Sequence, residues 1–272
     1  MTRLAPVLML MMLLTTAARA QAPDVAQPWR SLLDAAGVSA LLAQTDSLIN
    51  QEVSNLEKTP LGFTPAELKI LREQLLRRLG PQRLQADIVS RLQQHMTAAQ
   101  QQELLAMLQS PRVRFMQTLQ AQLDDSRVRE AMRSYKVQVK ENAPNPRRVE
   151  LLENLDSSLQ QTSLEAELKV ELRKQLLATV TQLKTHESFS ESMLDDQLEE
   201  YRRDVEGKIS RNALYAYLYL FKRTPSSQLQ DLIRHYNSPA YEQFMALCHD
   251  TIQVSFRTAR EQLLQDWRVA KQ

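Results

Sequence analysis

The sequence predicts an all-α protein, a multi-helix bundle built of two similar helical halves, and three observations carry the prediction. Glycine is scarce, 4 of 272 residues, beside 11 prolines, a combined share about half of average usage. Sandwiches and barrels need many tight turns, and phosphate or dinucleotide loops need glycines at fixed offsets, so both classes are excluded. Apolar residues recur at spacings of three and four, as in Leu68, Leu71, Leu75, Leu76 and Leu79, or Leu164, Leu168, Leu172, Leu176 and Leu183. Finally, helix starts are marked by hydroxyl caps and prolines along the whole chain.

The first segment stands apart. Residues 1–20 combine a basic start at Arg3, an apolar run from Leu4 to Leu14 and the small-residue ending Ala18-Arg19-Ala20. That is the pattern of an export signal cleaved after Ala20, and it predicts a periplasmic protein. The run is shorter than the roughly 20 residues a membrane span requires, and no later stretch qualifies, so no integral membrane segment is expected once the signal is gone. Its removal takes Arg3 and Arg19 and no acid, which leaves basic and acidic residues equal at 32 each. Without a net basic field, nucleic acid is not an expected partner.

The mature chain begins with a first half, 21–141, entered through clear signals. Thr64-Pro65-Ala66-Glu67 is a capping box with proline at the first helical position, and Thr97-Ala98-Ala99-Gln100 is a second box. Ser110-Pro111, Thr224-Pro225 and Ser238-Pro239 each put a hydroxyl at the cap and proline after it. Between these marks about eight to ten helices fit. A proline-containing linker at 142–147, around Pro144 and Pro146, separates the second half, 148–272. Leu214-Tyr-Ala-Tyr-Leu-Tyr-Leu-Phe221 has no polar face; a buried helix and a short strand both fit it.

A repeat favours the helix. Shifted by 128 residues, Gln100–Leu119 overlies Gln228–Leu247 with six of twenty positions identical, including Ser110-Pro111 over Ser238-Pro239. The reading is an internal duplication. In that overlay 214–221 faces 86–93, where Ile88, Val89 and Leu92 have helical spacing.

The run from Thr224-Pro225 through His235-Tyr236-Asn237-Ser238-Pro239 resembles the exported bacterial family known as domain of unknown function 2059, here in two tandem copies, with the weaker copy at Leu108-Gln109-Ser110-Pro111. The resemblance implies an all-α periplasmic protein without an assigned activity. The family pattern has a glycine two places after the proline, where Tyr241 and Val113 stand here, so no family site carries over to this turn.

Chemistry-bearing residues are few. No catalytic motif is found, no cofactor is called for, and the chain is read as a non-enzyme. Four histidines, His95, His186, His235 and His249, lack the i, i+4 pairing of a helical zinc site, and no metal is expected. Cys248 has no internal partner for a disulfide. It is read as a buried thiol on the stripe of Tyr241, Phe244, Met245 and Ile252, with an intermolecular disulfide or a reactive thiol as the other reading. The acidic run Asp195, Asp196, Glu199 and Glu200 is followed by Arg202 and Arg203, and a self-paired helix face is favoured over a cation site.

The tyrosines are the candidate binding residues: Tyr215, Tyr217, Tyr219, Tyr236 and Tyr241, all in the second half. Amphipathic rings can line a ligand pocket or a partner groove, or fill the core. The functional expectation is a binding or scaffold protein for an unknown protein or a small apolar ligand. The alternatives are a periplasmic hydrolase whose site forms only in three dimensions and a helical holdase.

Overall fold

The computed structural model describes residues 26–59 and 62–269; the expected signal peptide, 1–20, lies outside the described residues. They form thirteen α-helices: α1 (Gln27–Ala35), α2 (Val38–Leu42), α3 (Thr45–Leu56), α4 (Pro65–Leu79), α5 (Pro81–His95), α6 (Ala98–Leu108), α7 (Pro111–Ala121), α8 (Ser126–Glu141), α9 (Pro146–Leu159), α10 (Gln161–Thr185), α11 (Glu191–Leu220), α12 (Ser226–Tyr236) and α13 (Pro239–Val269). Among the described residues there is no strand, and no single helix is long and apolar enough to cross a membrane.

Local signals place most of the ends. Thr64 Oγ1 accepts from the Glu67 amide at 3.2 Å while Glu67 Oε2 accepts from the Thr64 amide at 2.8 Å. Thr97 and Gln100 repeat the pair at the same distances. Ser110 and Ser238 accept from the Val113 and Tyr241 amides, each at 3.4 Å. Thr224 departs from expectation. The cap of α12 is Pro225, with no side-chain hydrogen bond, and the Thr224 carbonyl is instead taken by Arg148 at 2.9 Å. Residues 214–220 are the end of α11 and Phe221 is its cap, with α8 and α9 both packed against that helix.

The expected linker is a break, with Asn145 capping α9 by accepting from the Arg147 amide at 2.9 Å. It does not separate two globules. One apolar core runs from Trp29 through Leu104 and Leu159 to Leu263 and draws on both halves. The reason is length: α13, with 31 residues, extends about 46 Å and reaches back to pack on α4, α5 and α6. The helix α10 is held by α3, α9, α11 and α13 and buries Glu171, Lys174, Gln175 and Thr179 beside its leucines.

The shift of 128 residues carries over to the elements. It moves the bounds of α6 onto those of α12, and the start of α7 and end of α8 onto the two ends of α13. Positions 89, 92, 104, 108, 113 and 116 and their shifted counterparts are buried in both halves. Packing follows the same scheme, since α6 lies on α13 while α7 lies on α12.

Candidate functional site

Of the five candidate tyrosines, three are core. Tyr241 is 0% exposed, Tyr236 2% and Tyr217 5%. Tyr236 and Tyr241 meet edge to face with ring centroids 4.9 Å apart, and the Tyr241 hydroxyl donates to the Leu159 carbonyl at 2.8 Å. Burial pushes all three phenols well above their ordinary range. The structure therefore corrects the expectation for these three: they sit where helices converge, and their rings fill space between helices instead of facing a ligand. Tyr215 and Tyr219 are half-buried on the seam between α8 and α11. Lys136 lies over the Tyr215 ring at 4.7 Å, Lys222 over Tyr219 at 4.2 Å, and Tyr135 meets Tyr219 edge-on at 5.6 Å.

Cys248 is wholly buried, and desolvation drives its thiol upward. An intermolecular disulfide is therefore out of reach in the folded chain. His235 contacts the Asp231 carbonyl at 2.6 Å through Nδ1, whereas His249 pairs with Glu167 of α10, so the two rings have different partners. Among the described residues, no group of three or more His, Cys, Asp or Glu could hold a metal ion.

A charged layer between α10, α11 and α13 surrounds that second pair. Glu167 accepts from His249 and Gln253. Lys174 donates to Glu191 and Asp195, each at 2.8 Å, and Arg260 reaches Glu191 at 3.4 Å. Burial opposes the Lys174 charge, but the hydrogen bonds to Asp195 and Glu191 outweigh it and raise its pKa; the same contact lowers that of Glu191. The acidic run is thus partly self-paired, as in Glu199–Arg203 at 3.3 Å, and partly spent on α10.

Glu171 is the weak point of this layer. It is 7% exposed, hydrogen-bonded by Gln175 at 2.7 Å, and burial raises its pKa. A raised folded pKa means the fold holds this proton more tightly than the unfolded chain does. The resulting stabilisation is complete below the ordinary carboxylate value and is lost as pH rises through the raised one. Glu171→Gln is accordingly expected to stabilise the protein at pH 8, with the advantage shrinking towards pH 4. Urea unfolding at several pH values measures this, and a variant less stable than the parent at pH 8 would contradict it.

A polar recess rich in arginine lies elsewhere, along α4, α5 and α13. A sharp corner builds it. Gly80 ends α4 and precedes Pro81, and a Cβ there would stand 2.6 Å from the Leu76 carbonyl oxygen, so only glycine fits. The corner brings Arg77 and Arg78, in the last turn of α4 where the helix dipole favours cations, beside Arg83 and Arg91 of α5. Together with the Thr251, Ser255 and Thr258 face of α13 they line an open groove of about 690 Å³.

Each arginine meets a carboxylate, and Arg77 and Arg78 also donate to Gln74 Oε1. Arg78 meets Asp266 at 2.6 Å, Arg83 meets Asp87 at 3.2 Å and Arg91 meets Asp250 at 2.8 Å. Arg77 is 3.9 Å from Asp266, and Ser255 donates to Asp87 at 3.1 Å. Four guanidiniums thus face three carboxylates, an excess of one positive charge. Each guanidinium carries five donors, and the buried Arg78 Nε has no partner. Sequence reasoning passed over this groove. Arg83, Asp87 and Arg91 stand at i, i+4 and i+8, which is a legible stripe, but nothing local says that the stripe faces α13.

Against protein-family models, curated proteins and solved structures alike, the chain has no match.

Proposed function

We propose that this chain is a non-enzymatic binding protein that holds an acidic segment of a partner protein in the groove between α4, α5 and α13. The observation that carries the reading is the set of four guanidiniums facing only three carboxylates, with donors to spare. Arginine forks suit carboxylates geometrically, and arginine is enriched at protein interfaces. The anchoring aspartates alternate with the arginines and would hold them apart and oriented before a ligand arrives. The polar lining disfavours a small apolar ligand at this place.

An exported, periplasmic setting for this activity rests on residues 1–20 and on the resemblance to domain of unknown function 2059. Duplication of an ancestral helical unit is supported by the coinciding bounds of α6 with α12 and of α7–α8 with α13.

The test uses a fluorescent hexaglutamate peptide titrated against the mature protein at low salt. Binding is expected, weakened roughly tenfold by the double substitution Arg83→Ala and Arg91→Ala, with a circular dichroism spectrum unchanged. Absence of binding, or equal binding by both proteins, would overturn the reading.

A further inference from the structure

The helices α7 and α8 with the joint between them span Pro111–Glu141, and the shift of 128 residues lays that span over the uninterrupted α13. Nothing in their sequence demands a break, since residues 112–141 contain neither proline nor glycine. The joint is a single 3-10 turn, Gln122–Asp124, in which Ala121 and Gln122 keep helical angles. Asp125 departs from them, extended at φ −72° and ψ 126°, and its carboxylate caps α8 by accepting from the Arg127 amide at 2.8 Å. Its counterpart in register, Gln253, lies within α13.

Beyond the joint, α8 is lightly held. It has no buried residue. Its contacts with α11 are the Tyr135–Tyr219 ring pair at 5.6 Å, Lys136 over Tyr215 at 4.7 Å and Lys136 Nζ donating to Asn212 Oδ1 at 3.3 Å.

We propose that rotation at Asp125 straightens α7–α8 into one helix and that two copies of the chain then exchange α8, each α8 docking on α11 of the other copy. Straightening alone uncovers Tyr135, Val139, Tyr215 and Tyr219. The surface that restores the same ring pair and cation contact is the α11 of a second copy, because exchange between identical chains reproduces every native contact and changes only the hinge. A helix-compatible hinge sequence then lowers the cost of the open form.

The experiment measures mass by light scattering after refolding the mature chain at high concentration. Asp125→Ala removes the cap and installs a helix former, and is expected to raise the dimer fraction about fivefold. Ser126→Pro places proline at the first helical position and holds Asp125 extended, so it is expected to abolish the dimer. Exchange is distinguished from ordinary association by mixing, in the Asp125→Ala background, one chain carrying Lys136→Cys with another carrying Asn212→Cys. A disulfide linking the two chains is expected, with the buried Cys248 unreactive. A monomeric Asp125→Ala variant, a dimer that survives Ser126→Pro, or a dimer without the cross-chain disulfide would each overturn the proposal.

Discussion

Replacing Tyr241 by alanine is expected to remove about 3–5 kcal/mol of folding stability, the range for truncating a fully buried aromatic ring. Tyr241 is 0% exposed and stands in the first turn of α13, directly after the Ser238-Pro239 corner. Its ring meets Tyr236 across that corner at 4.9 Å and Phe244 along the helix at 6.1 Å. Its hydroxyl donates to the carbonyl of Leu159, the last residue of α9, which is capped by Gln160 at φ 55°. The carbonyls of a last helical turn lack partners within the helix, so the phenol both fills space and satisfies a buried acceptor. Tyr241→Phe separates the two contributions and should cost about 1–2 kcal/mol. Urea unfolding followed by circular dichroism reads both values. A loss under about 1 kcal/mol for the alanine variant would mean that the corner is not packed through this ring.

Arg148→Met is expected to cost about 2 kcal/mol, from the loss of charge-assisted hydrogen bonds in a half-buried site. Arg148 lies in the first turn of α9, where a cation gains nothing from the helix dipole. Its guanidinium instead reaches the end of α11, donating to the Phe221 carbonyl at 2.6 Å and the Thr224 carbonyl at 2.9 Å. Burial there lowers its pKa. The guanidinium ties the start of α9 to the turn between α11 and α12, with Nη2 donating to both carbonyls and Nη1 reaching Ser226 Oγ at 3.5 Å. Arg148→Lys keeps the charge without the planar guanidinium and should lie between the two in stability. Equal stability of all three proteins in thermal unfolding would show that the α11–α12 turn holds without this contact.

The legible part of the fold is the part decided within a few residues. Thr64 with Glu67, Thr97 with Gln100, and the Ser110 and Ser238 caps are bonds across three positions, and residue types at that spacing suffice to see them. Cys248 was legible too, because its apolar stripe repeats at helical spacing. Thr224 misled because α12 starts one residue later than the motif implies: Pro225, with ψ 145°, is itself the cap, and Thr224 stands outside it.

The site was less legible. Tyrosine is as fit for a pocket wall as for a core, and the choice for Tyr217, Tyr236 and Tyr241 lies with helices far along the chain. For Tyr241, the acceptor at Leu159 is 82 positions away. The arginines of the groove pair with Asp250 and Asp266 at separations of 159 and 188 positions, beyond any spacing rule.

By itself, then, the sequence determined the all-α class, the helix starts at the paired caps, and the in-register resemblance of residues 100–119 to 228–247. These follow from local hydrogen bonding and from helical periodicity. Tertiary structure alone decided that the two halves share one core, that α10 carries a charged layer in its interior, and that Arg77, Arg78, Arg83 and Arg91 look across a groove at α13. The reason is physical: which face of a helix is buried depends on the helices brought against it, and a helix as long as α13 spans both halves before its own periodicity says so.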